Sequence, residues 1–212
     1  MGSEKMSNLQ AGRDAYIING AKVYAGYLDA ARQAHLVNAL RKVGAEAPFF
    51  SPRTRFGKHM SVKMTSAGRY GWYSDARGYR YERCHPAGLP WPDVPPAILE
   101  LWRSITKLSR DPDCCLVNFY GQGARMGLHQ DRDEASFDWP VVSVSLGDDA
   151  LFRIGGHDRK DATRSVWLKS GDVLVLEGES RLAFHGIDRI RFGSSTLLVG
   201  GGRINLTLRV VD

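Results

Sequence analysis

From Leu28 to Val43 the apolar residues Leu28, Ala31, Leu36, Val37 and Leu40 recur at helical spacing, and Gly44 stands where such a helix would stop. A second amphipathic stretch begins at Pro96, a residue suited to the first turn of a helix, with Ile98, Leu101, Trp102, Ile105 and Leu108 on its apolar face. Elsewhere the period shortens to two. Tyr16–Ile18 and Val23-Tyr24 flank the turn Asn19-Gly20, and Met60-Ser-Val-Lys-Met64 alternates. From Phe49 to Tyr81 the runs are short and broken by glycine, proline and serine, which predicts hairpins and mobile loops rather than a rigid layer. Pro90, Pro92, Pro95 and Pro96 form a connector. Beyond it the pattern predicts strands at Cys114–Tyr120, Val141–Leu146, Leu151–Ile154, Ser165–Leu168, Asp172–Leu176, Arg181–His185 and Ile204–Val211. Short strands separated by Gly147-Asp148, Gly155-Gly156 and Ser170-Gly171 indicate a sandwich or jelly roll.

The last strand is the most informative. Arg203-Ile-Asn-Leu-Thr-Leu-Arg209 alternates strictly, so Arg203, Asn205, Thr207 and Arg209 share one face and Ile204, Leu206 and Leu208 the other. Arginines and an amide turned into a barrel would be costly without anionic partners. Two guanidiniums about 20 Å apart along the strand can converge on a short dicarboxylate with bidentate geometry. Asn118 and Tyr120, also on one face, add an amide and a phenol. The plainer alternative is a solvated polar face on an edge strand.

Composition sets the bounds. The 212 residues suit one sizeable domain, with 43% hydrophobic and 25% charged residues. There is no apolar run of membrane-spanning length, and Met1 to Arg13 lacks the apolar core of a signal peptide. Cys84, Cys114 and Cys115 fit no zinc or redox spacing; Cys114 and Cys115 should face opposite sides of a strand as packing residues, in a reducing, cytoplasmic compartment.

Charge changes the picture more. Between Arg53 and Arg83 eight basic residues face two acidic ones, an excess equal to the whole chain's formal net charge of +6. Phe56, Tyr70, Trp72, Tyr73, Tyr79 and Tyr81 are interleaved with them. Cations for phosphates and aromatic faces for bases are what a nucleic-acid surface needs, although a solvated basic β-region has the same composition.

The candidate chemistry lies in Asn118 to Glu134. His129 and Asp131, two apart in an extended segment, should point to one side. They supply two of the three groups of a non-haem Fe(II) facial triad, and His185, at the end of another predicted strand, is the third candidate. His35 falls in the first helix, and His59, His85 and His157 in polar surroundings.

Taken together, Asn118-x-Tyr120, His129-x-Asp131-x-Asp133-Glu134, Val142-Ser-Val-Ser-Leu-Gly147, Gly178-Glu-Ser-Arg181, His185-Gly186 and Arg203-x-Asn205-x-Thr207-x-Arg209 resemble the AlkB-type DNA-repair dioxygenases. Met60 to Thr65, Gly71-Trp72, Gly78-Tyr79 and Pro90-Trp-Pro92 extend the resemblance, which covers most of the chain from about Phe56 onward. It implies an α+β fold: a double-stranded β-helix (jelly-roll) core with supporting helices and a β-hairpin nucleotide-recognition lid. The corresponding division is an extension and first helix over 1–48, the lid over 49–90, a connector and second helix over 91–112, and the core over 113–212, as one compact domain.

The resemblance further implies Fe(II), 2-oxoglutarate and O2, with His129, Asp131 and His185 as iron ligands. Arg203 and Arg209 would hold the ends of 2-oxoglutarate, Arg203 with Tyr120 at the distal carboxylate and Arg209 nearer the metal, helped by Asn118 and Asn205. Trp72 would stack on a flipped base opposite His129, Asp133 would favour a cationic methylated base, Met64 would line the pocket and Tyr79 would meet a phosphate. The implied activity is oxidative demethylation of 1-methyladenine- and 3-methylcytosine-type bases in single- or double-stranded DNA by a monomer. RNA or a non-nucleic-acid substrate stays open as an alternative, as does a non-catalytic binding module. Met126-Gly127 departs from the family's variable pattern beside the pocket, so substrate range does not transfer with the motifs.

Overall fold

The structure is a computed structural model that describes residues 15–54 and 56–212. The polar stretch Met1 to Arg13 and the basic residue Arg55 lie outside the described residues. The chain opens with a hairpin of β1 (Tyr16–Ile18) and β2 (Ala21–Tyr24). Its two turn residues, Asn19 and Gly20, have φ of 43° and 80°, the left-handed pair that a two-residue hairpin turn demands. Helix α1 (Ala30–Glu46) follows, its start fixed by the Asp29 carboxylate accepting the Arg32 N–H at 2.8 Å. Gly44 does not end it. It lies within the last turn, where a Cβ would come 3.2 Å from the Phe49 ring, and the helix runs on to Glu46.

Next come β3 (Val62–Gly68), β4 (Gly71–Asp75) and β5 (Gly78–Glu82), then α2 (Pro96–Thr106), which stops at Lys107 in the left-handed conformation. The remaining strands are β6 (Cys114–Tyr120), β7 (Met126–His129), β8 (Val141–Gly147), β9 (Asp149–Ile154), β10 (Arg164–Leu168), β11 (Val173–Leu176), β12 (His185–Arg191) and β13 (Arg203–Arg209).

Two antiparallel sheets make the jelly roll. The larger has the order β1-β2-β11-β8-β13-β6-β3 and the smaller β10-β9-β12-β7, while β4 and β5 form a separate hairpin. Leu116, Tyr120, Leu174 and Leu176 of the large sheet pack with Phe152, Ile154 and Ile187 of the small one inside the roll. On the outer face of the large sheet, α1 and α2 bury Leu36, Leu40, Ile98 and Trp102 against Val117, Val144, Leu206 and Leu208. The period-two reading of β13 therefore holds: its leucines lie under the helices and its polar residues are buried on the inner side. Cys115 and Cys114 divide between the same two clusters.

Three expectations need correction. The strand placed at Arg181–His185 begins at His185 instead and runs to Arg191. Before it the chain makes a 3₁₀ turn, Gly178–Ser180, with Gly178 at φ 52° and the Ser180 hydroxyl accepting the Glu177 N–H. The charged residues Asp188, Arg189 and Arg191, together with a register shift after Ile187, hid the strand. Second, β3 is no part of a loose lid: it pairs with β6 over its whole length as the edge of the large sheet. Third, β1 and β2 join that sheet through β11, so the roll draws on more than residues 113–212. What projects from it is the β4–β5 hairpin. Its base is held by Trp91, which donates to the Glu82 carbonyl at 2.9 Å and passes so close to Gly71 that a Cβ there would lie 2.2 Å from the indole. Among the described residues no helix is long and apolar enough to cross a membrane.

Candidate active site

His129 ends β7 and His185 begins β12, and the two face each other as register partners with ring centroids 4.5 Å apart. Asp131 lies two residues past β7. The ligand atoms of the three all fall within 4.8 Å of one another, the one such grouping among the described residues. Each imidazole is oriented through its Nδ1: that of His129 lies 2.9 Å from the Gly127 carbonyl, and that of His185 2.9 Å from the Ala183 carbonyl. An Nδ1–H donated to a carbonyl leaves Nε2 as a lone pair. Both Nε2 atoms stand 3.8 Å from the Asp131 carboxylate, one from each oxygen.

Electrostatics favours the ligating forms. Burial, reinforced by His129, pulls the His185 pKa down to about 4, so its ring is neutral. Burial alone would raise the Asp131 pKa, but Arg209, with smaller help from both histidines, holds it well below the usual carboxylate range. Arg209 does so by direct contact, Nη2 lying 2.7 Å from Asp131 Oδ1.

The triad opens into a cavity of about 850 Å³ that runs from Arg203, Tyr120 and Met64 within the roll to Trp72 and Tyr79 of the hairpin. Arg203 is only 1% exposed. Its Nη2 donates to Ser145 Oγ at 3.0 Å and its guanidinium lies over the Tyr120 ring, yet Nε and Nη1 have no partner. The buried Asn118 Oδ1 is unpartnered as well. Burial lowers the Arg203 pKa, a sign of a charge left without its counter-ion. The free Arg203 donors, this deep, fit a small carboxylate, as two imidazoles and a carboxylate fit a divalent metal.

The other expected residues are placed unequally. Met64 is buried at the cavity wall. Asn205 lines the cavity, but its Nδ2 is already engaged by Ser143 Oγ and the Val144 carbonyl at 2.7 and 3.1 Å. Arg209 is likewise committed to Asp131 and to the Tyr81 hydroxyl, which it reaches at 3.0 Å. Trp72 stacks on Tyr79, the ring centroids being 5.3 Å apart, and its Nε1 donates to Asp133 at 3.1 Å. Tyr79 is 53% exposed.

The basic excess is partly cancelled in place, since Arg80 and Arg77 pair with Asp75, Arg80 also with Glu82, and Arg69 with Asp212. Arg53, Lys58, Lys63 and Arg83 have no carboxylate partner among the described residues.

Sequence reasoning missed Tyr81, Glu134, Arg181 and Arg159 as site residues. Glu134 is fully buried and takes the Tyr81 hydroxyl at 2.6 Å and Arg181 Nη2 at 3.2 Å. Arg181 also reaches the Asp131 and Trp139 carbonyls. Arg159, on the cavity rim, donates to the Leu128 carbonyl and lies over Phe184. A buried acid and base inside quoted motifs was the available signal for Glu134 and Arg181; Arg159 gave none.

Residues 20–209 match the 2OG-Fe(II) oxygenase superfamily. The chain is 59% identical over 194 residues to an alpha-ketoglutarate-dependent dioxygenase AlkB homolog of Caulobacter vibrioides, covering 91% of this chain and 88% of that one. It is 39% identical to the alpha-ketoglutarate-dependent dioxygenase AlkB of Escherichia coli, over 82% of both chains. It is 33% identical to the DNA N(6)-methyladenine demethylase ALKBH1C of Arabidopsis thaliana, over 90% of this chain and 48% of the relative. The solved structure of OsALKBH1 superimposes with a TM-score of 0.77 at 32% identity, covering 92% of this chain and 98% of that one.

Proposed function

The chain belongs to the 2OG-Fe(II) oxygenase superfamily, an Fe(II)- and 2-oxoglutarate-dependent dioxygenase, and we propose that it oxidatively demethylates N-alkylated bases of the 1-methyladenine and 3-methylcytosine type in DNA. The observation that carries this reading is the single cavity that joins the His129, Asp131 and His185 donors and the buried Arg203 to the Trp72 face of the β4–β5 hairpin. Its volume of about 850 Å³ leaves room for a dicarboxylate and a base together.

In this reading His129, Asp131 and His185 hold the iron, and Arg203, with Tyr120 and Asn118, takes the distal carboxylate of 2-oxoglutarate. Arg209 serves the metal end by holding the Asp131 carboxylate, and Asn205 shapes the wall through Ser143 and Thr207. Fe(II), 2-oxoglutarate and O2, when bound, supply the oxidation of an N-methyl group to a hydroxymethyl group, which leaves as formaldehyde beside succinate and carbon dioxide. The chain's own part is placement. Bases with a lesion on the pairing edge leave the stack at least cost. Trp72 and His129 offer rings to the flipped base, Met64 closes the pocket, and Asp133 favours a cationic lesion. Tyr79, with Arg53, Lys58 and Lys63, faces the phosphates. RNA carrying the same lesions is a second substrate of the same site. A monomer suffices, because every residue named comes from one chain.

The test is a product assay across methylated DNA and RNA oligonucleotides. Formaldehyde should appear in step with restored bases; 2-oxoglutarate turnover without loss of methyl groups would rule out this substrate class. The Trp72→Ala variant should raise the KM for oligonucleotide by about five- to 150-fold, as expected when a stacking contact worth about 1–3 kcal/mol is removed, and leave 2-oxoglutarate affinity unchanged. Equal loss of both would make Trp72 structural. Oligonucleotide affinity should fall steadily with added salt, and a flat salt profile would contradict the role given to Arg53, Lys58 and Lys63.

A further inference from the structure

Trp72 and Tyr81 are direct cross-strand partners on one face of the β4–β5 hairpin. Both donate to the short segment that follows the metal-binding carboxylate: Trp72 Nε1 to Asp133 at 3.1 Å, and the Tyr81 hydroxyl to Glu134 at 2.6 Å. Behind Glu134 the contacts continue without a gap. Arg209 Nη1 donates to the Tyr81 hydroxyl, its Nε lies 3.4 Å from Glu134, and its Nη2 reaches Asp131. Arg181 ties the Glu134 carboxylate to the Asp131 backbone carbonyl. These charges are buried, so each depends on the others for compensation, and loss of one hydroxyl alters the alignment of the rest.

We propose that Tyr81 is a positioning residue that couples the hairpin to the metal centre. Through Glu134 and Arg209 its phenol sets the orientation of Asp131, so that seating of the hairpin and alignment of the metal-binding carboxylate form one equilibrium. This rests on the proposed function and goes beyond it. A nucleotide that seats the hairpin then tightens metal and cosubstrate binding, and by linkage metal and cosubstrate tighten the hairpin.

The test uses Co(II) in place of iron, so that no turnover intervenes. In the wild-type protein a single-stranded oligonucleotide with 3-methylcytosine should raise 2-oxoglutarate affinity by a factor of about five or more, the lower range of allosteric coupling. In Tyr81→Phe the factor should fall close to one, with each ligand still binding alone. Tyr73→Phe, on the opposite face of the hairpin, should keep the wild-type factor. The second readout is hydrogen exchange without nucleic acid. Co(II) and 2-oxoglutarate should slow exchange of the Gly78–Glu82 amides in the wild type and leave it unchanged in Tyr81→Phe. Equal protection in both proteins overturns the coupling, as does a Tyr81→Phe variant whose exchange rises throughout the fold. If the wild type fails to bind the oligonucleotide while the exchange difference holds, the proposed substrate is refuted and the coupling of Tyr81 to the metal centre stands.

Discussion

The His185→Ala variant will fold and will not demethylate. His185 gives one of three donors, and its ring is held for that purpose, with Nδ1 on the Ala183 carbonyl and Nε2 toward Asp131. Among the described residues no other grouping of three metal-binding side chains exists, so nothing nearby replaces it. Losing a partner that merely orients a ligand weakens metal binding about 10- to 100-fold, and losing the ligand itself will cost more. The fold tolerates the change because the charge balance behind it survives: Asp131 keeps Arg209, and Arg209 keeps Glu134. What remains is a cavity beside Phe152 and His129, which reduces stability by about 1–3 kcal/mol, less than a full Leu→Ala truncation at its worst. Formaldehyde release and thermal unfolding, measured on one preparation, check both halves. Retained repair in a folded variant would refute the metal assignment.

How much of this was readable in the sequence depends on whether a residue's role is local. β13 was legible because strict alternation fixes which side each residue faces, and β6 because it is a short apolar run bounded by turns. The pairing of Arg203 with Tyr120 and of Asn205 with Asn118 then follows from register. The hairpin turn at Asn19-Gly20 and the start of α2 at Pro96 were legible from backbone chemistry alone. The position of β12 was not. Its residues alternate poorly, and the strand exists because His185 to Arg191 lies between β9 and β7, a tertiary fact. Nor does the assignment of β3 follow from its own composition, since glycine and serine there suggest loops until β6 is beside it.

At the site the division is similar. His129 and Asp131 could be read from their spacing, and His185 and Arg203 from a chemistry that requires them. Tyr81, Glu134 and Arg181 form their contacts across sequence separations of 47 to 53 residues, and no periodicity links them. One reading was incomplete for an electrostatic reason. Two arginines at the ends of β13 suggested a symmetric clamp on one dicarboxylate, but a buried Arg209 beside Asp131 and Glu134 already has its counter-ions. Arg203 has no carboxylate within ion-pair distance among the described residues, and its Nε and Nη1 have nothing to bond.

That asymmetry yields the second large effect, and its sign differs between the free and the bound protein. Arg203 is a buried cation whose Nε and Nη1 are unsatisfied and whose pKa is lowered by burial. Replacing a buried charge by an apolar side chain of similar length is often neutral or stabilising, whereas an uncompensated charge is costly. Arg203→Met should therefore unfold at the same temperature as the wild type or above it when no cosubstrate is present. The guanidinium gives the free protein one hydrogen bond to Ser145 and a seat over the Tyr120 ring, and a thioether can fill the second role. With 2-oxoglutarate the order reverses. Removing one partner of a buried charge pair costs about 2–5 kcal/mol, or roughly 30- to several-thousand-fold in affinity. At a concentration a hundred times its wild-type Kd, 2-oxoglutarate should stabilise the wild type by about 2.7 kcal/mol, and the variant by less than about 1 kcal/mol. Thermal unfolding of both proteins with Mn(II), with and without 2-oxoglutarate, measures all four states. An Arg203→Met protein that melts well below the wild type in the absence of cosubstrate would show that the guanidinium supports the roll; an undiminished shift with cosubstrate would show that another residue binds the carboxylate.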